Sequence, residues 1–458
     1  MKVIVCGAGQ VGANIARELA RENNDVTVVD NRPEAVSRLT GAHDLRAIVG
    51  WASLPDVLEQ AGAAEADMLI AVTHSDEVNM VACQVAHSLF RTPTKIARVR
   101  HQGYLKPHWR GLYSDAELPI DTIISPEIEV ARSVERQLSV PGAVEVVPFC
   151  EDRVRLVGTR LDESCPILNT PLRSLTELFP GLQAVIVGIQ RNEKLIVPTD
   201  EDMLLPRDEV HFVASTDHVA RAMSLFGHEE AAARHIVIAG AGNIGSFLAE
   251  QIEAAHPNVR LKIIDRSPER SELAADRLSR AIVLKGDALD VDLLREAGVP
   301  SAETLVALTN DDETNILVSL LAKRLGCRRV VTLVNNHVYE PLLPSLGIDV
   351  AFNPRTTTVS TILTQVRRGR IKNLYSVGDG SAEVVEAEAL ATSPLVGKPL
   401  REIALPDGMI IGAVVRGPKV ILPRGATVVE AKDRVVMFAL KDRVKALEKL
   451  FAVRLEFF

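Results

Sequence analysis

Val3-Ile4-Val5-Cys6-Gly7-Ala8-Gly9-Gln10-Val11-Gly12 decides the fold, and the chain writes it twice: Ile236-Val237-Ile238-Ala239-Gly240-Ala241-Gly242-Asn243-Ile244-Gly245 opens the second half. Each copy is a short apolar, mostly β-branched run followed at once by G-x-G-x-x-G. A helical pattern comes next, carried by Val11, Ile15 and Leu19 in one copy and by Ile244, Leu248 and Ile252 in the other. Each copy then reaches a second apolar run that ends in an acid, Asp30 or Asp265. Strand, glycine turn, helix, strand and acid in that order form a dinucleotide-binding unit. The first glycine permits the tight turn, the second lets backbone approach a pyrophosphate, and the third lets helix pack on strand. The helix N-terminus offers free N–H groups to phosphate, and the acid can accept from ribose hydroxyls while repelling a 2′-phosphate.

The repetition runs far beyond the glycines. Gly62 matches Gly298 and Trp51 matches Asp287. At that same spacing, Thr73-His74-Ser75-Asp76-Glu77-Val78-Asn79 matches Thr309-Asn310-Asp311-Asp312-Glu313-Thr314-Asn315. Later pairs, Pro126 with Pro354 and Asp208 with Asp433, drift by a few residues, as loop insertions would cause. The chain therefore reads as one unit written twice. In each unit, apolar runs alternating with helical patterns predict a Rossmann-like, doubly wound parallel sheet. A single helix pattern follows, with Ile128, Ala131, Val134 and Leu138 on one face in the first unit. Short strands with few helices then predict a small α+β domain. The expected boundaries are 1–125, a crossing helix at 126–142, 143–227, a linker at 228–234, then 235–353, a crossing helix at 354–372, and 373–458. The crossing helices are candidates for lobe-to-lobe packing and assembly, the alternative being core helices of their own domains.

Bulk composition narrows the function. A chain of 458 residues exceeds what one core supports. A net charge of −8 and 4% aromatic residues argue against a nucleic-acid binder. The five cysteines, Cys6, Cys83, Cys150, Cys165 and Cys327, form no C-x-x-C pair and read as buried small apolar residues. Neither a signal peptide nor a membrane-length apolar stretch is read, so a cytoplasmic protein is expected, with any membrane role reached through a partner.

Ligands of doubly wound sheets bind beyond the carboxyl ends of the strands. Thr73, His74 and Thr309 follow strands at that edge, where Thr73 and Thr309 could either contact a nucleotide or cap the next helix. Arg98 ends another strand there and could pair with pyrophosphate. A dehydrogenase would also need a proton-transfer group. The histidines do not cluster, none has an obvious carboxylate orienter in sequence, and no Walker-type phosphate loop occurs.

The glycine turn with Asp30, the Thr73–Asn79 segment, the Ile96-Ala97-Arg98-Val99-Arg100 strand and the small domain that follows resemble the regulator-of-conductance-of-potassium (RCK) domains. Their tandem arrangement resembles the cytosolic regulatory subunits of bacterial Trk-type potassium-uptake systems. The resemblance implies binding of NAD or NADH, with ATP or ADP at the same sites. It implies a homo-oligomeric ring, a tetramer, docked on the cytoplasmic face of a membrane potassium-translocating subunit. Carried over by position, Gly7, Ala8, Gly9, Gln10, Val11, Gly12, Asp30, Thr73, His74 and Arg98 would form the first nucleotide site. Gly240, Ala241, Gly242, Asn243, Ile244, Gly245 and Asp265 would form the second, with Asp287 and Thr309 as additions. The pattern departs from the family at His74, where Asn is frequent. It also departs between its own halves: Arg98 maps to Val334, and Asp287 maps to Trp51, which could stack. The first site is therefore expected to depend more on phosphate charge. An NAD-dependent oxidoreductase with a duplicated fold is the alternative reading, and an NAD-sensing module with another partner is a third.

Overall fold

Each β-branched run becomes a strand, and each glycine turn delivers the chain into a helix. The computed structural model describes residues 1–21, 23–40, 45–178, 184–192, 194–336, 338–366, 371–378 and 380–451. Its first strands are β1 (Lys2–Cys6), β2 (Asp25–Asp30), β3 (Arg46–Val49), β4 (Met68–Ala71), β5 (Thr94–Arg98) and β6 (Thr122–Ile124). They form a parallel sheet in the order β3-β2-β1-β4-β5-β6. The helices between them are α1 (Gln10–Arg21), α2 (Pro33–Thr40), α3 (Pro55–Gln60) and α4 (Asp76–Phe90). The strand order reverses between β1 and β4, where doubly wound sheets open a crevice. The edge strand β6 has three residues and lies outside the runs expected from sequence.

Next come helix α5 (Pro126–Leu138) and a small antiparallel sheet of β7 (Ala143–Phe149), β8 (Val154–Arg160), β9 (Ala184–Arg191), β10 (Lys194–Ile196) and β11 (Glu209–Ser215). Its order is β10-β9-β11-β8-β7, with helices α6 (Leu172–Leu178) and α7 (Val219–Leu225) attached.

The second half repeats this plan. Strands β12 (His235–Ala239), β13 (Arg260–Asp265), β14 (Ile282–Lys285), β15 (Thr304–Ala307), β16 (Arg329–Leu333) and β17 (Val350–Phe352) take the order β14-β13-β12-β15-β16-β17. Their helices are α8 (Asn243–Ala255), α9 (Pro268–Arg277), α10 (Val291–Glu296) and α11 (Asp312–Leu325). Helix α12 (Pro354–Val366) leads on; the expected crossing helix ran to 372, and residues 367–370 lie outside the described residues. Strands β18 (Ile371–Val377), β19 (Ala382–Glu388), β20 (Met409–Arg416), β21 (Lys419–Ile421) and β22 (Arg434–Leu440) form the second small sheet, closed by α13 (Val444–Leu450).

The chain divides into two bodies: Met1–Val130 with Asn353–Val366, and the remainder of the described chain. In the first body, Ile362, Leu363 and Val366 of α12 join the core of β1, β2 and α1. Helix α12 follows the second parallel sheet in sequence, yet its apolar face belongs to the first. Burying each such side chain stabilises by roughly 1.5–3 kcal/mol. In the second body the two small sheets share one core, with Phe149, Leu156 and Val213 against Val384, Ala413 and Phe438. Glycine permits the close approach: a Cβ on Gly188 would stand 2.9 Å from the Phe438 ring, and one on Gly412 would stand 2.7 Å from Val213. All five cysteines are buried and free.

Candidate nucleotide sites

The turn after β1 is built on two glycines and leaves a third open. Gly7 has φ +111°, a conformation that L side chains rarely adopt, and its amide donates to the Val29 carbonyl at 2.7 Å. A Cβ on Gly12 would lie 1.9 Å from the Gly7 carbonyl oxygen, whereas one on Gly9 would meet nothing within 4 Å. Gly9 thus faces open space just ahead of the α1 N-terminus, where a pyrophosphate could approach the backbone.

Asp30 ends β2 and is buried. Its carboxylate accepts the Ala8 amide at 2.6 Å, the Arg32 amide at 2.9 Å and the Arg32 Nε at 3.2 Å. Burial opposes its ionisation, but the Arg32 guanidinium and the two amides outweigh that and hold it below the usual carboxylate range.

The ends of β4 and β5 are tied by Asn79, which is fully buried. Its Oδ1 accepts the Thr73 amide at 2.8 Å and the Thr73 hydroxyl at 2.7 Å; its Nδ2 donates to the Arg98 carbonyl at 2.9 Å. Arg98 Nη2 donates to the Thr73 carbonyl at 2.6 Å. Burial lowers the pKa of this guanidinium, and its Nε is buried without a hydrogen-bond partner. Arg98 is therefore not a solvated strand-end arginine. Thr73 is not the helix cap either: the Ser75 hydroxyl accepts the Val78 amide and caps α4. The Asp76 carboxylate holds the loop after β5 by accepting the amides of Arg100 and His101.

These elements enclose a cleft of about 540 Å³. Of the residues expected from sequence, Gly7, Gly9, Gln10, Val11, Asp30, Thr73, His74 and Arg98 line it. Ala8 and Gly12 sit in the turn beneath, one bonded to Asp30 and the other packed under Gly7. The lining residues that the sequence reading did not bring to this site include Arg32 and, from α12, Arg355. Arg32 stands two positions beyond the acid, a local signal that could have found it. Arg355 carries none, because only the fold brings it there.

The second set of expected residues repeats the frame. Gly240 has φ +112°, and a Cβ on Gly245 would lie 1.9 Å from the Gly240 carbonyl oxygen, while Gly242 faces open space. Asp265 accepts the Ala241 amide at 2.7 Å and the Ser267 amide at 2.8 Å. Asn243 and Ile244 begin α8. Asn315 binds the Thr309 amide at 2.8 Å, the Thr309 hydroxyl at 2.7 Å and the Leu333 carbonyl at 2.9 Å, as Asn79 does in the first half. Here Asp311 is the cap. Asp287 accepts the Leu289 amide at 2.9 Å, so one of its oxygens serves its own turn. Where the first half has Arg32 and Arg98, the second has Ser267 and a buried Leu333; Val334, the counterpart expected from spacing, aligns with Val99 instead, because Asn315 takes the Leu333 carbonyl as Asn79 takes that of Arg98.

No carboxylate orienter is obvious for the histidines in sequence, and the fold brings two carboxylates near one of them. His211 is buried in the first small sheet, with Nδ1 3.6 Å from Glu145 and Nε2 3.8 Å from Glu209. It lies in the second body.

Two glycine-turn parallel sheets, each followed by a small antiparallel sheet, define a tandem of Rossmann-type lobes with auxiliary lobes. The TrkA-N domain family matches residues 3–126 and 236–354, and the TrkA-C domain family matches 156–227 and 384–452. The chain is 52% identical over 458 residues to the Trk system potassium uptake protein TrkA of Azorhizobium caulinodans, covering 100% of each. It is 43% identical to that of Halomonas elongata, again covering 100% of each. The chain belongs to the TrkA family. Among solved structures it resembles the GsuK RCK domain, with TM-score 0.59 and 19% identity over 99% of this chain and 95% of that one. It also resembles the GsuK channel bound to NAD, with TM-score 0.61 and 19% identity over 99% of this chain and 79% of that one. The fold is the tandem RCK fold.

Proposed function

We propose that the protein is a cytosolic, non-catalytic regulatory subunit that binds NAD(H) or adenine nucleotides and controls potassium uptake through a Trk-type membrane subunit. Its lobes are taken as 1–125, 143–227, 235–353 and 373–458, with nucleotides bound at the glycine turns of the first and third. The observation that carries the reading is the cleft at the β1–β4 crevice, with Gly9 open, Asp30 ionised and Arg98 holding an unused buried donor. Full-length relatives named as Trk system potassium uptake proteins support the transport role and favour it over an oxidoreductase.

Among the described residues no helix is long and apolar enough to cross a membrane, which fits a peripheral subunit on the inner face. A homo-oligomeric ring, tetrameric in this reading, is supported by apolar side chains left exposed on matching helices. Val81 and Leu89 on α4 are 45% and 60% exposed, and Leu317 on α11, the counterpart of Val81, is 49% exposed. Each nucleotide biases the ring only by its differential affinity for two arrangements, typically about 1–3 kcal/mol per site.

Calorimetric titration with NADH, NAD, NADPH, ATP and ADP tests the reading, with Asp30→Ala and Asp265→Ala in parallel. NADH or ATP binding weakened about tenfold or more by either change, with NADPH poor, is the expected result. Reconstituted potassium flux through a Trk-type membrane subunit should then respond to the same ligands. Absence of any nucleotide binding would sink the proposal.

A further inference from the structure

We infer, on the nucleotide reading above, that Trp51 stacks on the base of the nucleotide in the first site, so that this site selects purine rings by their area where the second site presents a carboxylate.

The two halves share one frame here. The Gly50 amide donates to the Asp30 carbonyl at 3.0 Å, and the Gly286 amide to the Asp265 carbonyl at 2.9 Å. Val49 pairs with Asp30 across the first parallel sheet as Lys285 pairs with Asp265 across the second. A Cβ on Gly50 would stand 2.8 Å from Val57, and one on Gly286 would stand 2.5 Å from Leu293, so each glycine lets the following helix close on its strand. Trp51 and Asp287, the residues after these glycines, therefore occupy equivalent places.

Strand order decides which part of a ligand arrives there. The sheet runs β3-β2-β1, with the glycine turn at the end of β1, Asp30 at the end of β2 and Trp51 just past the end of β3. A nucleotide runs phosphate, ribose, base. With its phosphates over the turn and its ribose on Asp30, the base extends towards β3, where Trp51 lines the cleft.

The side chains at this place differ in kind between the halves. Val49, Trp51 and Leu54 are exposed apolar residues, and their counterparts are Lys285, Asp287 and Asp290. Asp290 caps α10 by accepting the amides of Asp292 and Leu293, whereas Leu54 begins α3 with no side-chain cap. The first half forgoes that capping bond for an apolar rim. Asp287 accepts the Leu289 amide of its own turn, a task an indole cannot perform. Among the described residues no aromatic ring pairs with Trp51, and 53% exposure leaves it area for a planar partner. Stacking reads the face of a base and not its edge, so ATP and GTP should bind this site alike, and CTP, with the smaller ring, more weakly.

The chain has two tryptophans, and Trp109 does not line the cleft. In a Trp109→Phe, Gly242→Ala background, Trp51 is the only tryptophan and the second glycine turn is obstructed, at a position where a Cβ meets nothing within 4 Å. ATP, GTP, CTP and inorganic tripolyphosphate are titrated by calorimetry and by Trp51 fluorescence. ATP and GTP are expected to quench Trp51 and to bind within about threefold of each other, with CTP about tenfold weaker and tripolyphosphate leaving the fluorescence unchanged. Trp51→Asp, which copies the second half, and Trp51→Ala should each weaken ATP and GTP about tenfold and bring them level with CTP, while Trp51→Phe keeps most of the affinity and the preference. Nucleotide binding that leaves Trp51 fluorescence unmoved, equal quenching by tripolyphosphate, or an unchanged ATP affinity in Trp51→Ala overturns the inference and leaves nucleotide binding intact. Failure of every nucleotide to bind the parent protein overturns the functional reading as well.

Discussion

Gly9 and Gly12 are three residues apart in one motif, yet the structure assigns them opposite failures when changed to Ala. At Gly12 the new Cβ would stand 1.9 Å from the Gly7 carbonyl oxygen, 3.0 Å from its carbon and 3.3 Å from Val72 Cγ2. An ordinary C···O contact is about 3.3–3.6 Å, so turn and helix must separate by roughly 1.5 Å. The obstacle is backbone and cannot rotate away. The cost belongs at the upper end of the overpacking range, about 3 kcal/mol, which lowers the melting temperature by roughly 6–12 °C for a body of this size. At Gly9 the new Cβ meets nothing within 4 Å, and its φ is not in the left-handed region. Gly9→Ala should leave stability unchanged or raise it by about 0.4–1 kcal/mol, through reduced freedom of the unfolded chain. Its methyl occupies the approach to the backbone, so NADH or ATP binding should fall at least tenfold, about 1.4 kcal/mol. Differential scanning fluorimetry and calorimetry on both variants separate the two effects. A Gly9→Ala protein that binds nucleotide as the parent does would refute the placement of pyrophosphate over this turn. A Gly12→Ala protein with an unchanged melting temperature would refute the close-packing argument. Gly242→Ala and Gly245→Ala should repeat the contrast in the second half.

Two further predictions concern the small sheets. Burial works against protonating His211, but Glu145 at 3.6 Å, with Glu209 behind it, outweighs burial and raises its pKa. A raised folded-state value means the contribution is fully present below the unfolded pKa, about 6.5, and is lost as pH rises through the folded value. The melting temperature should therefore decline from pH 6 towards pH 9, and His211→Gln should flatten that decline; equal slopes in both proteins would rule the pair out as its source. Glu386 is almost fully buried and accepts Arg434 Nε at 2.7 Å and the Cys150 amide at 2.8 Å. Glu386→Ala should cost about 3 kcal/mol by urea denaturation, the lower end for a broken buried pair, because Arg434 keeps Glu151 as a second partner; a loss below about 1 kcal/mol would show the pair to be dispensable.

Local pattern revealed the glycine turns, the acids at the ends of β2 and β13, and the paired lobes, because each is fixed by residues close in sequence. It also placed Thr73, His74 and Arg98 at the correct strand edge, since strand ends are legible from where an apolar run stops. It could not assign Thr73 its task. A threonine before two acids reads as a cap, but Ser75 takes the cap and Thr73 turns to Asn79. Arg355 and the shared core of the small sheets were beyond local reading, because both arise from packing between distant segments. Gly188 and Gly412, mid-strand glycines under Phe438 and Val213, were the trace of that core in the sequence.

The duplication separates frame from ligand chemistry in a way that one copy could not. Asn79 and Asn315 make the same four hydrogen bonds, and Asp76 and Asp312 pin the same loop. Polar and identical in both halves, these residues resemble site residues in sequence but hold the strand ends together. What differs between halves lies at the cleft wall: Arg98 against Leu333, Arg32 against Ser267, Trp51 against Asp287. A buried cation is costly to keep, and Leu333 shows that the fold at this position tolerates an apolar side chain. Arg98 is therefore retained for something other than the fold. Under the proposed function that is the phosphate chain, and the cost of burying its guanidinium with an unused Nε is recovered only when an anion arrives. Arg98→Leu, which copies the second half's own solution, should accordingly raise the stability of the unliganded protein while weakening ATP. A variant that lost stability instead would mean that the Thr73 carbonyl needs this arginine more than any ligand does.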